Sequence, residues 1–372
     1  FFMKQTFKCL IVAAVATIFS FTAAAQVTTS SMSGKVSDAQ GAVAGAVIIA
    51  TYTPTGAQYH AVSDANGNYR ILGIVPGGPY TVSVEMLGYA TSKTEGITVA
   101  IADNYLYDVN LKEETLSLTE VVVVADGSTS NMRSDRSGAV TSLSSSQMEK
   151  IPTVSRSMND IMKFSPQAAS TSNGMAIGGG NYRQSFVTVD GASFNNTFGI
   201  GGNLPAGGTP ISMDALDQMA ISITPYDVRQ SGFTGGAIQT TTKSGSNEFH
   251  VSVYDYYKSE KLKGTKYGDE GKELSLSKSL NNTVGINVAG PIIKNKLFYF
   301  VNFEYDSDVV PGNTRLARKD ASGEWGGSTQ YNRPTESFMN EVKDYLATKY
   351  KYNPGRYADY SASTPDWKLF AR

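Results

Sequence analysis

Few side chains in this sequence have the types and spacing that catalysis or metal binding needs. His60 and His250 are its only histidines, and Cys9 is its only cysteine. The patterns H-E-x-x-H, G-x-S-x-G and G-x-x-x-x-G-K-[ST] do not occur, so motifs for zinc, a nucleophile and phosphate are missing. We therefore expect a protein that is not an enzyme, with no catalytic residue, no metal site and no cofactor.

One polar turn resembles the start of a calcium-binding loop. Asp64, Asn66 and Asn68 have the spacing of the first three ligands of such a loop. The twelfth position, which should carry a bidentate acid, is Val75. We interpret the segment as a plain turn of a β-hairpin, in which Asn66 and Gly67 adopt a positive φ.

The backbone of a valine run offers a different chemistry. Val121, Val122, Val123 and Val124 lie in a segment rich in Ser, Thr and Glu. Branching at Cβ favours the extended state, and an extended segment can be added as an extra strand to the sheet of another protein. Two interpretations follow from the residues alone: an ordinary strand of the preceding domain, or an exposed strand that waits for a partner.

The N-terminus has the parts of a secretory signal peptide. A positively charged start and an apolar core over residues 10–21 precede Ala23 and Ala25, and we expect cleavage between Ala25 and Gln26. A membrane anchor is the alternative, but this core is shorter than the ~20 residues of a membrane-spanning helix. Cys9 lies before the core rather than at the cut, so we expect neither a lipid anchor nor disulfides in the exported protein.

Composition favours an exported β protein. The chain has 36 Gly and 21 Tyr, and 17% of its residues are charged, against about 25% in average soluble domains. Such values are typical of all-β proteins with many turns and of membrane barrels. The formal net charge is −1, and the sequence contains no basic patch. We therefore expect no nucleic-acid partner.

Three regions of different pattern follow the signal peptide. Residues 32–111 contain about seven short alternating strands, which predict a β-sandwich. Residues 134–246 mix strands with a short helix, capped by Ser155, that carries Met158, Ile161 and Met162 on one face. Between these two regions, residues 112–133 form a linker that contains the valines.

The third region, residues 247–372, begins with three alternating strands. In the third strand, Leu297, Val301 and Phe303 share one face and Asn302 and Glu304 the other. A short turn joins the second strand to the third, whereas a long polar stretch separates the first from the second, as in outer-membrane barrels. We interpret the remainder, 307–372, as another long loop with a short amphipathic helix.

This order of parts resembles that of a TonB-dependent outer-membrane receptor of the Bacteroidetes type. The stretches TPYDVRQSGFTGGAIQTTTKSGSNEFHVSVYDYY and AGPIIKNKLFYFVNFEY are similar to the Oar-like branch in particular. The resemblance implies a mostly β fold: a carboxypeptidase-regulatory-like β-sandwich, an α+β plug domain and the first strands of an incomplete transmembrane β-barrel. Too few strands are visible to close a barrel, so we expect an N-terminal fragment.

The resemblance also implies a role for the valine run. The segment resembles a TonB box, the periplasmic strand that the C-terminal domain of TonB adds to its own sheet. Its members are Leu118, Thr119, Glu120, Val121, Val122, Val123 and Val124. The implied mechanism is energised transport, by import or export, of a large cargo through a plugged barrel in the outer membrane. The sandwich and box would be periplasmic, and the long loops extracellular.

Cargo recognition is implied for the loops of the plug and barrel. Its candidates in the plug are Arg183, Phe194, Asn195, Asn196 and Phe198. The sequence does not identify the cargo. It also does not show whether a partner lipoprotein covers the barrel at the cell surface. The main alternative is a secreted or surface β-sandwich adhesin. A receptor that signals to an anti-sigma factor is a third reading, although the additional signalling domain that it requires is not visible.

Overall fold

The computed structural model describes most of the chain after the signal peptide. The described residues are 28–113, 121–124, 140–151, 153, 156–195, 202, 204, 210–223, 234–267, 271–273, 278–312, 316–326, 331–357 and 361–372. The expected cleavage site at Ala25 and Gln26 lies outside them. They form two compact units, one up to His250 with 289–300 and Arg372, the other with 251–288 and 301–371.

The first domain is a sandwich of two sheets, as its strand pattern predicts. One sheet has the order β4-β1-β7, with β8 also paired to β1, and the other has the order β3-β2-β5-β6-β9. The strands are β1 (Ser30–Ser37), β2 (Val47–Tyr52), β3 (Ala57–Val62), β4 (Asn68–Ile74), β5 (Gly77–Glu85), β6 (Ser92–Val99), β7 (Asn104–Leu106), β8 (Val109–Asn110) and β9 (Val121–Val124).

Alternation along these strands produces the core. Tyr80, Val82 and Val84 of β5 are buried, and they pack with residues such as Met32 and Ile48 from both sheets. Polar residues between them face outward, so each strand contributes one apolar face to the space between the sheets.

The predicted hairpin around Asn66 and Gly67 is wrong, although a turn does lie there, and of these two residues Gly67 has a positive φ and Asn66 does not. Gly67 has a φ of 79°, and Asp64 Oδ1 accepts hydrogen bonds from the backbone nitrogens of Asn66 and Asn68, both at 2.8 Å. However, β3 pairs with β2 while β4 pairs with β1. The turn therefore carries the chain from one sheet of the sandwich to the other.

The middle region is a mixed α+β domain. Its main sheet has the order β10-β15-β16-β13-β14, in which β13 and β16 are parallel, and β11 and β12 form a separate hairpin. Its elements are β10 (Val140–Ser144), α1 (Ser145–Lys150), α2 (Met158–Met162), β11 (Ala168–Thr171), β12 (Gly174–Ile177), β13 (Phe186–Val189), β14 (Ala192–Ser193), β15 (Leu216–Ser222) and β16 (Ala237–Thr242).

Helix α2 carries its apolar residues as predicted but begins with a different cap. Met158, Ile161 and Met162 are buried. The hydroxyl of Ser157, rather than Ser155, accepts the hydrogen bond from the backbone nitrogen of Asp160. Ser155 lies outside the described residues. Because α2 is so short, its tertiary contacts decide where it starts.

The last region contains a four-stranded sheet with the order β17-β20-β21-β24. Two small two-stranded sheets and one exposed helix accompany it. The elements are β17 (His250–Ser259), β18 (Lys266–Tyr267), β19 (Lys272–Glu273), β20 (Leu280–Ile293), β21 (Leu297–Pro311), β22 (Leu316–Arg318), β23 (Tyr331–Thr335), α3 (Glu336–Tyr350) and β24 (Ser361–Ala371). Among the described residues, no helix is long and apolar enough to cross a membrane.

The expectation of a long loop over 307–372 is wrong at both of its ends. Strand β21 continues to Pro311, and β24 pairs with it along its whole length, from Val301 opposite Ala371 to Pro311 opposite Ser361. The sequence of β24 contains Pro365, which argues against a strand because proline donates no backbone hydrogen bond. Pairing with β21 nevertheless keeps this segment extended.

Candidate functional site

The β17-β20-β21-β24 sheet has an apolar face that is exposed. Val253 is 69% exposed and Leu369 is 63% exposed, and Phe303, the register partner of Leu369, is also exposed. The next pair on the same face is Tyr305 and Trp367. Asp255 in β17 is a charged exception between valines and tyrosines.

The opposite face of this sheet is polar and hydrogen-bonded. Asn302 is 0% exposed and donates from Nδ2 to Oδ1 of Asn287 at 2.6 Å. Tyr254 donates its hydroxyl hydrogen to Glu304 Oε2 at 2.9 Å, and Lys368 Nζ lies 2.9 Å from Glu304 Oε1. These hydrogen bonds and this ion pair join polar side chains of all four strands on that face.

This polarity is the reverse of that in a sheet of a soluble protein. A membrane barrel places apolar residues toward lipid and polar residues toward its lumen, with aromatic residues at the level of the membrane surface. Val253, Phe303 and Leu369 fit the lipid-facing band, and Tyr305 with Trp367 fits an aromatic girdle. The sheet can therefore serve as part of a barrel wall.

The valine run forms an edge strand of the sandwich. Strand β9 is parallel to β6, with Val121 opposite Ser92, Val122 opposite Lys93, Val123 opposite Thr94 and Val124 opposite Glu95. It is the last strand in the order β3-β2-β5-β6-β9. The expectation that this segment is unpaired therefore does not hold in this structure.

Strand β6, which β9 joins, contacts the rest of the sandwich through Thr94 and carries an ion pair along its own length. The hydroxyl oxygens of Thr94 and Tyr107 lie 2.6 Å apart, and Thr94 is buried. Lys93 Nζ forms an ion pair of 3.0 Å with Glu95 Oε1. Leu118, Thr119 and Glu120 lie outside the described residues, so the assignment of a TonB box stays a prediction.

The cargo candidates occupy different settings in the mixed α+β domain. Arg183 is exposed, in a single turn of 3₁₀ helix (Tyr182–Gln184), where its guanidinium stacks on Tyr182 at 5.5 Å from the ring centre. Phe194 is half-buried after β14. Asn196 and Phe198 lie outside the described residues. The role of these residues in cargo recognition stays a prediction.

Asn195 holds a loop in place through two hydrogen bonds to backbone groups. Its Oδ1 accepts from the backbone nitrogen of Val187 at 2.7 Å, and its Nδ2 donates to the carbonyl oxygen of Ser185 at 2.7 Å. Both polar atoms of this side chain are thus used to hold the loop after β14 against β13. No residue pattern predicts this arrangement, because the two partners are backbone groups.

Asp217, a half-buried acid in β15 of the mixed α+β domain, carries no signal in the residue pattern. Burial raises the pKa of Asp217 to about 6, and the nearby Lys243 and Arg372 oppose that shift. Asp190 lies close by, with a φ of 48°, and accepts hydrogen bonds from the backbone nitrogen and hydroxyl of Thr242. No group of three His, Cys, Asp or Glu that could hold a metal ion occurs among the described residues.

Two protein families match parts of the chain. The model of the carboxypeptidase regulatory-like domain matches residues 31–112, and the model of an outer membrane beta barrel domain matches residues 241–322. The first covers the sandwich, and the second covers the start of the sheet with reversed polarity.

Curated relatives are TonB-dependent proteins. The chain is 29% identical over 309 residues to the TonB-dependent transporter Oar of Myxococcus xanthus, which covers 79% of this chain and 28% of Oar. It is 27% identical over 214 residues to the TonB-dependent siderophore receptor PirA of Acinetobacter baumannii, which covers 50% of this chain and 26% of PirA. The chain therefore spans about a quarter of the length of the curated relatives it matches.

A comparison with solved structures gives a partial overlap. The crystal structure of the siderophore receptor PirA covers 46% of this chain and 24% of its own, with a TM-score of 0.37 and 23% identity. The relatives named here are transporters and receptors rather than enzymes. Together, the barrel-domain match and the alignment with Oar assign the chain to the outer membrane. The chain is a homologue of the TonB-dependent transporter Oar that carries a carboxypeptidase regulatory-like domain and an outer-membrane β-barrel domain.

Proposed function

We propose that this chain is the N-terminal part of an energised outer-membrane transporter. In this proposal, residues 32–111 are a periplasmic sandwich, 112–133 are a linker with the TonB box, 134–246 are a plug, and 247–372 begin the barrel. Cargo binds at the outer side, TonB engages the valine segment, and force on the plug opens a path for the cargo.

The observation that carries this proposal is the reversed polarity of the β17-β20-β21-β24 sheet. An adhesin in aqueous solution would have to leave Val253, Phe303 and Leu369 in contact with water. Lipid removes that cost, because lipid tails solvate an apolar face at depth. The alignment with Oar, which runs over most of this chain, supports the same interpretation.

The polar face suits the wall of a lumen that is occupied by a plug. Glu304, Asn302 and Asn287 present charge and amide groups on that face. A plug that must move during transport is better accommodated by polar contacts, which water can replace, than by a continuous apolar interface. The cargo is proposed only by class, as a solute too large for passive diffusion.

Binding to TonB tests the proposal. The full chain is titrated with a purified TonB C-terminal domain, and Val122→Pro is compared with Val122→Thr. Proline removes a backbone donor and blocks strand addition, so the Pro variant should lose binding. Threonine keeps both the donor and the branched Cβ, so the Thr variant should bind like the unchanged chain.

Membrane insertion is tested separately. The longer protein that contains this chain should fractionate with the outer membrane and should migrate differently in gels with and without heating. Release into the medium, together with no TonB binding by the folded chain, would instead favour the adhesin.

A further inference from the structure

Strand β3 lies at one end of its sheet, and its outer side is open. It is the first strand in the order β3-β2-β5-β6-β9, and no strand of the described residues pairs with that outer side. Its register with β2 runs without a bulge from Ala57 opposite Tyr52 to Val62 opposite Val47. The sandwich therefore presents a regular edge that is six residues long.

Every second residue of β3 directs its backbone groups away from β2. The backbone nitrogen of Ser63 donates to the carbonyl oxygen of Ala46 at 3.0 Å, so the hydrogen-bonded pairs of this antiparallel ladder fall at the odd-numbered residues of β3. The amides and carbonyls of Gln58, His60 and Val62 thus point outward, and we call them the β3 edge. They have no hydrogen-bond partner within the part of the chain that the structure describes.

The β3 edge lacks the features that usually prevent an open strand from pairing. Proteins protect such strands with charged side chains, proline, bulges or a very short length. The sequence of β3, AQYHAV, contains no Asp, Glu, Lys, Arg or Pro. By contrast, the edge strand of the other sheet, β4, carries the exposed Arg70, and its pairing with β1 shifts between Ser30 and Ser31. Only one of these two edges is therefore protected.

Apolar side chains lie beside the β3 edge on both faces of the sheet. On the outer face, Val62 is 61% exposed and its register partner Val47 is 38% exposed. On the inner face, Tyr59 and Ala61 are half-buried and pack against the core of the sandwich. A strand added to β3 would place one set of alternate side chains over Tyr59 and Ala61 and the other set beside Val62.

We propose that the β3 edge is a docking site for an extended polypeptide segment, which the sandwich binds by strand addition. Another peptide backbone supplies donors and acceptors at the spacing of Gln58, His60 and Val62, so the edge itself specifies the chemical class of its partner. The segment is uncharged where it passes β3 and directs apolar residues toward Tyr59 and Ala61. This role goes beyond the proposed function and does not depend on TonB, because β3 and β9 are at opposite ends of the same sheet.

Disulfide trapping at the β3 edge tests the proposal. Gln58→Cys is introduced into the full chain together with Cys9→Ala, which removes its only native cysteine. The probe is a synthetic peptide of alternating Thr and Val residues, with a Lys at each end and one central Cys. Opposite Cα atoms in such a pair lie about 5.5 Å apart, within the ~4.4–6.8 Å of a disulfide. Leu72→Cys is the matched control, because Leu72 is 64% exposed on the protected strand β4.

The docking site predicts that Gln58→Cys captures the peptide at least about tenfold faster than Leu72→Cys does. Trapping reports only peptide at the modified position, so binding elsewhere on the chain does not contribute. A peptide with Pro on both sides of its Cys keeps the thiol but lacks the donors, and it should react equally with both variants. Equal rates with the unchanged peptide would overturn the proposal. Disulfide-linked dimers of the Gln58→Cys chain in place of the peptide adduct would assign the edge to a second copy and would overturn it as well.

Two substitutions of His60 test whether the backbone carries the contact. His60→Pro removes an outward donor and leaves the pairing with β2 intact, because proline is tolerated where the N–H of an edge strand faces solvent. His60→Thr keeps the donor. In the Gln58→Cys chain, the Pro variant should capture the peptide about tenfold more slowly, and the Thr variant at the unchanged rate. Equal capture by two folded variants would contradict strand addition.

A charge on the β3 edge gives a second test that leaves the backbone unchanged. Val62→Lys introduces the lysine that natural proteins use to protect an open strand, so it should slow capture by Gln58→Cys. Leu72→Lys places the same charge at a similarly exposed position of β4, and it should leave capture unchanged. This comparison decides the question if His60→Pro does not fold. Equal effects of the two lysines would overturn the proposal.

Discussion

Glu304 and Lys368 form an ion pair of 2.9 Å on the polar face of the β17-β20-β21-β24 sheet. Both side chains are buried, with 6% and 11% exposed. Glu304 also accepts a hydrogen bond from the hydroxyl of Tyr254 at 2.9 Å. The pair thus links β17, β21 and β24 through groups that face away from the apolar side.

Removal of one charge of this pair should destabilise the sheet. Lys368→Ala removes the positively charged partner of the buried carboxylate of Glu304, and we expect the free energy of unfolding to fall by about 3 kcal/mol. Urea titration of the protein in lipid vesicles measures this change. Asp366→Ala is the matched control, because Asp366 is 47% exposed and 3.9 Å from Lys368, and it should cost under about 1 kcal/mol. Equal effects would show that Lys368 is not the essential partner.

A positive charge on the apolar face should impair insertion in a manner that depends on position. Leu369→Lys places the charge opposite Phe303, one pair inside the aromatic pair Tyr305 and Trp367, and we expect it to cost about 1–2 kcal/mol, between the values for the membrane surface and the bilayer centre. Ser361→Lys, at the far end of the same strand opposite Pro311, should cost under about 1 kcal/mol. The yield of heat-modifiable protein after refolding into vesicles measures the difference. Similar yields would argue that the face is not in contact with lipid.

Asp217 should make the mixed α+β domain less stable as pH rises. Burial raises the pKa of this carboxyl from 3.8 to about 6, so the folded state favours the protonated form. Well below pH 3.8 the group is protonated in both states, and above pH 6 the full cost of the half-buried charge is present. A shift of this size corresponds to about 3 kcal/mol, and that stability is lost between pH 4 and pH 6.

The Asp217→Asn variant should remove this pH dependence. We expect its stability to match the unchanged chain below pH 4 and to exceed it by about 3 kcal/mol above pH 6. Urea titrations at several pH values measure the difference, and Glu85→Gln, at an exposed position of the sandwich, is the control. A difference between Asp217→Asn and the unchanged chain that is constant from pH 4 to pH 7 would contradict the prediction.

Asn195 should act on stability rather than on cargo binding. Asn195→Ala removes two hydrogen bonds and leaves a backbone nitrogen and a carbonyl without their partner, so we expect a loss of about 2 kcal/mol in the free energy of unfolding. Arg183→Ala, at an exposed position, should stay within about 0.5 kcal/mol. Thermal unfolding of the two variants measures the contrast. A larger loss of stability for Arg183→Ala than for Asn195→Ala would contradict the prediction.

Several features of this fold could be predicted from residue patterns. The alternation of Leu297, Val301 and Phe303 with Asn302 and Glu304 identified the apolar and polar faces of β21, which the structure confirms. The alternation of Tyr80, Val82 and Val84 likewise identified the buried face of β5. Such patterns are local, because successive side chains of a strand point to opposite faces whatever strand lies beside it.

Pairing between distant segments could not be predicted in the same way. Pro365 weakens the pattern of a strand in β24, which nevertheless pairs with β21. The turn at Gly67 predicts a hairpin, although β3 and β4 belong to different sheets. The role of Asn195 depends on backbone groups of β13 that carry no signal in the sequence.

The valine run shows most clearly which features are determined locally by the sequence and which depend on the tertiary structure. The sequence by itself determined that Val121–Val124 would be extended, since four residues branched at Cβ favour that backbone conformation. Only the tertiary structure decided that β6 is the neighbour and that the two strands are parallel. The reason is that strand pairing joins backbone amide and carbonyl groups, which are the same in nearly every residue, so the choice of partner depends on which edge the folded chain brings within reach.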